Sequence, residues 1–143
     1  MTTERIESSA LRSMADAYQL WNRCGLFLDQ YDSPREMGWR KYFEEKPGNF
    51  LACYDGERLI ATCVMLDDGR KITIQRLAVE SEYQRRGIAK TLLDAVEKEA
   101  TNRGLNGVCA LIEDTNEKSR TLALKAGFEE KPSARYFTKS IYR

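Results

Sequence analysis

Gln84-Arg85-Arg86-Gly87-Ile88-Ala89 lies between a β-rich run that ends at Val79 and a helix-forming stretch that begins at Ile88. Its chemistry is that of a main-chain anion site. Gly87 lets the backbone approach a ligand with no side chain in the way, and the first amides of the following helix have no acceptor inside it. Those free N–H groups and the positive end of the helix dipole together favour a phosphate. Arg85, Arg86 and Lys90 add positive charge, although each reads equally well as a solvated residue at a helix terminus.

Downstream of the loop, Ile88, Leu92, Leu93, Val96 and Ala100 share one helical face, and Gly104 is a natural stop. Residues from Gly107 to Ile112 form an apolar strand, Asn116 to Ala126 a short helix ended by Gly127. Phe128 opens a further strand and Tyr136 to Tyr142 supply a last one. Upstream, Phe50 to Tyr54, Asp55-Gly56 and Leu59 to Leu66 read as a β-hairpin, and Asp67-Asp68-Gly69 turns the chain into Lys71 to Val79. Such short turns predict an antiparallel meander. Within its third strand Ile72 and Ile74 share one parity and Leu77 and Val79 the other, so the phase slips near Gln75-Arg76. Either a β-bulge or burial on both faces would produce that slip. Two helices precede the meander: Leu11 to Cys24 before Gly25, and a second that starts at Ser33-Pro34-Arg35-Glu36 and ends before Pro47-Gly48.

The 143 residues suit one domain with its own core. A net charge of +1, from 23 basic and 22 acidic residues, gives no support to nucleic-acid binding. No apolar run approaches the roughly 20 residues of a membrane span. The polar start, with Glu4, Arg5 and Glu7, does not read as a targeting segment, so a cytoplasmic protein is expected. Cys24, Cys53, Cys63 and Cys109 have no C-x-x-C spacing and the chain has no histidine, which argues against a metal site. Reduced, mostly buried thiols are expected. A tight turn at Asp55-Gly56 sets Cys53 opposite about position 58, away from Cys63.

The order of elements and the motifs together resemble the GCN5-related N-acetyltransferase (GNAT) superfamily over nearly the whole chain. Gln84-x-x-Gly87-x-Ala89 is similar to the family's Q/R-x-x-G-x-G/A loop, Arg76-Leu77-Ala78-Val79 to its L-x-V strand ending, and Asn116 with Gly127-Phe128 to its N-x(10)-G-F segment. Leu20 to Leu26 also looks like a subgroup of small bacterial and archaeal members. The resemblance implies an α/β (α+β) fold: a mixed, mostly antiparallel sheet of six to seven strands, about four helices and a bulged fourth strand. It implies acetyl-CoA as cosubstrate, with the amides of Arg85, Arg86, Gly87, Ile88, Ala89 and Lys90 on the pyrophosphate. By the same resemblance Gln84 is expected to belong to that loop, Leu77, Ala78 and Val79 to lie beside the pantetheine arm, and Asn116 to contact the cofactor. A P-loop is excluded because Gln84 and Ala89 stand where G-x-x-x-x-G-K-[ST] needs glycines, and a G-x-G-x-x-G fingerprint is absent.

The implied reaction is direct transfer of the acetyl group to a primary amine of a small molecule or peptide. Here the chain departs from the family pattern. Ala123 occupies the place of the usual tyrosine acid, and Thr73 and Leu111 the usual places of a base carboxylate. Glu113 and Asp114 remain as candidate bases and Tyr136 or Tyr83 as acids, with solvated loop residues as the other reading of each carboxylate. Those three departures favour an alternative, a coenzyme A-binding sensor with little turnover. For the acceptor, Tyr18, Trp21, Phe27, Tyr31, Trp39 and Tyr42 with Asp29, Asp32, Glu44 and Glu45 offer aromatic and acidic groups that read either as a cation site or as core and surface. Exposed edge strands leave a homodimer open.

Overall fold

The computed structural model describes residues 6–26, 37–139 and 141. Five strands form one sheet in the order β1 (Ser8–Ala10), β2 (Phe50–Asp55), β3 (Arg58–Asp67), β4 (Lys71–Val79), β5 (Gly107–Ala110). The first three pairings are antiparallel and β4 with β5 is parallel. The four helices are α1 (Met14–Arg23), α2 (Met37–Glu45), α3 (Ile88–Asn102) and α4 (Glu117–Lys125).

Helix α1 starts later than its apolar spacing alone suggests because Ser13 caps it, accepting a hydrogen bond from the Asp16 amide. The expected start of the second helix at Ser33 lies outside the described residues; α2 ends at Glu45, before Pro47. Strand β1 went unforeseen in Ser8-Ser9-Ala10, which has little β character and joins the sheet by backbone pairing to Leu51–Cys53. It makes Lys71–Val79 the fourth strand. Two expected strands are corrected: the chain from Phe128 to Lys139 has no regular structure, and the described sheet has five strands where six to seven were expected. A strand is held by a partner edge and buried side chains. In that stretch Tyr136 is 68% and Phe137 88% exposed.

The sheet separates two apolar clusters. Trp21, Leu20, Trp39 and Phe50 fill the face under α1 and α2, and Leu92, Val96, Ile60, Met65 and Ile72 fill the face under α3. The parity slip in β4 is a bulge. Ile72, Ile74, Leu77 and Val79 all meet the α3 cluster, which strict alternation forbids, and the β3–β4 register jumps from Val64↔Gln75 to Thr62↔Ala78. At the jump Arg76 takes a left-handed φ of 53°. Thr62 holds it there: its buried hydroxyl donates to the Arg76 carbonyl at 2.8 Å and accepts from Trp21 Nε1 at 2.8 Å.

All four cysteines are free thiols. A second irregularity, between Cys53 and Tyr54, corrects the hairpin register, so that Cys53 faces Ala61 and Cys63 faces Leu51. Burial pushes the Cys53 thiol up to about 11 and that of Cys63 to about 12.

Candidate active site

The sheet parts where β4 bulges. Pairing with β5 runs from Lys71↔Gly107 to Ile74↔Ala110 and stops, while β4 continues to Val79 and the other chain leaves at Leu111. A cleft of about 620 Å³ opens between them, with Arg76 and Leu77 on one wall and Glu113, Asn116 and Ala123 on the other. Main-chain groups line the near wall. In an antiparallel ladder, bonded and non-bonded pairs alternate. The Glu80 amide donates to the Ile60 carbonyl at 2.8 Å, so Thr62↔Ala78 is a bonded pair and Ala61↔Val79 is not. Val79, and Leu77 by the same alternation, therefore turn their N–H and C=O away from β3, toward the gap.

The Gln84–Ala89 loop closes the end of this edge. A single 3₁₀ turn at Ser81–Tyr83 links it to β4, and Gln84 Nε2 donates back to the Val79 carbonyl at 3.2 Å. Arg85 and Gly87 have left-handed φ of 65° and 79°. Gly87 caps α3 without any side-chain hydrogen bond, and a Cβ there would meet nothing within 4 Å. The first amides of α3 thus have no side-chain cap, at the positive end of a helix pinned by Ile88, Leu92, Leu93, Val96 and Ala100. Of the three cations nearby, Lys90 is paired with Asp94 at 2.8 Å and Arg86 lies over the Tyr83 ring at 5.0 Å. Arg85 is exposed.

On the far wall, Asn116 caps α4, its Oδ1 accepting from the Ser119 amide at 3.2 Å, so its NH₂ is the end left to address a ligand. Glu113 lines the cleft and is exposed. Asp114 and Tyr136 are exposed and are not among its lining residues. Tyr83 lies on the other side of the loop, bonded through its phenol to Asp55, which raises its pKa above the ordinary tyrosine value. Thr73 lies back in the paired part of β4, its hydroxyl 3.2 Å from Cys109 Sγ, whereas Leu111 and Ala123 line the cleft. Sequence reasoning missed Gly25 and Leu26, which line the cleft behind α1. Gly25 carried a signal as a helix stop and, with Leu26, within the Leu20 to Leu26 resemblance, but neither pointed to a place in the site. Tyr18, Trp21 and Trp39 are core residues, stacked edge to face, while Phe27, Asp29, Tyr31 and Asp32 lie outside the described residues.

A sheet forked at a bulge, with a glycine-capped helix end at the mouth of the fork, defines an acyltransferase-type α+β domain. The chain belongs to the acetyltransferase (GNAT) family, whose model matches residues 14–128. It is 26% identical over 114 residues to "Acetyltransferase SG1711" of Sodalis glossinidius (strain morsitans), covering 80% of this chain and 79% of that one. Among solved structures it is similar to aminoglycoside antibiotic 6'-N-acetyltransferase AAC(6')-Ih from Acinetobacter baumannii, with TM-score 0.72 and 22% identity over 96% of this chain and 100% of that one. A predicted acetyltransferase from Clostridium acetobutylicum, solved with acetyl-CoA, superposes with TM-score 0.68 and 20% identity over 94% and 96% of the two chains. Among the described residues no helix is long and apolar enough to cross a membrane.

Proposed function

We propose that this acetyltransferase uses acetyl-CoA to acetylate a primary amine by direct attack in the cleft between β4 and β5. One observation carries the reading: the outward-facing edge of β4 at Leu77–Val79 runs straight into the uncapped amides of α3. Coenzyme A has a matching order of groups, a long amide-bearing arm followed by a pyrophosphate. The arm would lie as a pseudo-strand on Leu77, Ala78 and Val79. The pyrophosphate would sit on the amides of residues 85–90, Arg85, Arg86, Gly87, Ile88, Ala89 and Lys90, in the loop that Gln84 ties down. The acetyl-CoA held by the Clostridium acetobutylicum neighbour supports this choice of cosubstrate.

With that placement the thioester reaches the bulge, where the outward Leu77 amide is a donor for charge developing on its oxygen. The amine must attack in its neutral form. For a lysine-like amine at pH 7, losing the proton costs roughly 4 to 5 kcal/mol. Glu113, on the cleft lining, would accept that proton directly or through water, with Asp114 next to it in the chain as the other candidate. Asn116 offers its NH₂ to the cofactor. The leaving thiolate needs a proton in the least demanding of these steps because a thiol has a modest pKa; solvent can supply it, since Tyr136, the acid expected from the sequence, stands outside the cleft lining. Positioning of an already activated thioester supplies much of the rate.

The melting temperature should rise with acetyl-CoA as RT ln(1 + [L]/Kd) requires, and no shift at millimolar ligand would sink this reading. Thiol release across a panel of amines then tests turnover. Binding with no turnover on any amine would favour a sensor role, consistent with Ala123 and Leu111 in the cleft wall.

A further inference from the structure

Glu80, the residue after β4, is a buried carboxylate outside the cleft, its side chain 8% exposed. Arg23 at the end of α1 places Nε 2.9 Å and Nη2 2.8 Å from the same Glu80 oxygen, and Arg58 at the start of β3 stands 3.8 Å from it. Arg58 continues the chain of contacts to the Glu82 carboxylate at 3.4 Å and to the face of the Tyr83 ring, whose phenol is bonded to Asp55 on β2. The main chain is tied at the same point. The Tyr83 amide donates to the Glu80 carbonyl at 2.9 Å, and the Val79 carbonyl accepts from Gln84 Nε2 and, at 3.6 Å, from Cys24 Sγ. Val79 and Glu80 are therefore the junction of α1, the β2–β3 hairpin, the open edge of β4 and the anion loop.

Stability alone does not account for a charged pair here, because apolar residues of similar volume commonly do as well as a buried ion pair or better. Two donors on one oxygen add direction. We propose that Arg23–Glu80, with Arg58 behind it, is a positioning clamp that keeps the β4 edge and the anion loop in register, so that one coenzyme can span both. The inference rests on the acetyl-CoA reading above. None of the three residues touches a reacting atom, so each is a positioning residue. Misplacement by about 1 Å is enough to cost on the order of a hundredfold where two sites must be met at once.

The test compares acetyl-CoA with 3′-phospho-ADP, which lacks the pantetheine arm and so meets the loop only. In Glu80→Gln, acetyl-CoA should bind about tenfold more weakly while 3′-phospho-ADP changes less than about twofold. In the double variant Arg23→Met/Glu80→Met the melting temperature should recover, because no charge is left buried and alone, while acetyl-CoA binding stays weak. Equal losses for both ligands, or wild-type acetyl-CoA affinity in either variant, would overturn the clamp. Should the double variant not fold, the two-ligand comparison in Glu80→Gln decides alone. Wild-type protein that binds no acetyl-CoA removes the cosubstrate reading and the clamp together; wild-type binding that the clamp variants retain removes the clamp only.

Discussion

Helices α3 and α4 flank the same cleft, and they are held in opposite ways. Five residues of α3 are buried, Leu92 and Val96 completely, whereas α4 has none, and Leu124 on it is 50% exposed. The first is anchored by its side chains along its length; the second is fixed at its ends, by the Asn116 cap and by the Phe128 amide donating to the Ala123 carbonyl at 3.0 Å. The first arrangement suits the phosphate role proposed for the N-terminus of α3, since amides aim only as well as their helix is seated.

The contrast can be broken most directly by truncating each helix. Leu92→Ala should cost about 2–5 kcal/mol in denaturant unfolding, and Leu124→Ala should stay within about 0.5 kcal/mol. Equal costs would erase the distinction. Gly87→Glu probes the seated end itself. It sets a carboxylate against a bound pyrophosphate, where repulsion of roughly 4 kcal/mol should weaken acetyl-CoA more than about a hundredfold, while the left-handed φ costs the fold about 1–2 kcal/mol. Unchanged affinity would refute the loop as the phosphate site. Thr62→Val tests the bulge, because it orphans the Arg76 carbonyl and the Trp21 indole; a loss of about 1–3 kcal/mol is expected, and a melting curve like the wild type's would show that the hydroxyl does not hold the bend.

The smallest effect belongs to the turn before β4. Amides of Arg70 and Lys71 and the Lys71 ammonium hold the Asp68 carboxyl well below the usual carboxylate range, and the Gly69 amide and Arg103 lower that of Asp67. A depressed folded pKa stabilises above the unfolded value and is lost as the pH falls through the folded one. The melting-temperature gap between wild type and Asp68→Asn should be constant above about pH 5 and shrink below about pH 4. A gap that widens in acid would reverse the assignment.

What could be read in advance follows the same divide. The glycine loop before α3, α3 itself and the parity slip in β4 were legible because each depends on local backbone signals: a glycine at a helix start, a 3.6-residue period, apolar positions out of phase between Ile74 and Leu77; that the slip is a bulge and not burial on both faces needed the β3–β4 register. Strand β1 was not, because Ser8-Ser9-Ala10 contributes main chain and almost no side chain. The strands expected at Phe128 and Tyr136 are absent among the described residues for the converse reason: apolar residues suited to a strand, Tyr136 and Phe137 among them, stay exposed and do not join the open edge of β5. Glu113 could be named but not ranked above Asp114 until the fork placed only Glu113 on the cleft wall. Arg23 and Glu80 left no trace in the sequence pattern, because the partners are 57 residues apart.

Leu77 and Val79 address two audiences with different atoms. Their side chains belong to the α3 cluster, while the Leu77 peptide groups and the Val79 amide turn to the gap and the Val79 carbonyl is held by Gln84 and Cys24. Exchanging one aliphatic for another at either position can retune packing under α3 without altering what the peptide groups offer. The edge of the fork is thus tolerant of drift in a way that a site read by side chains is not, and variation here should track the volume of the neighbouring core and not the identity of any acceptor.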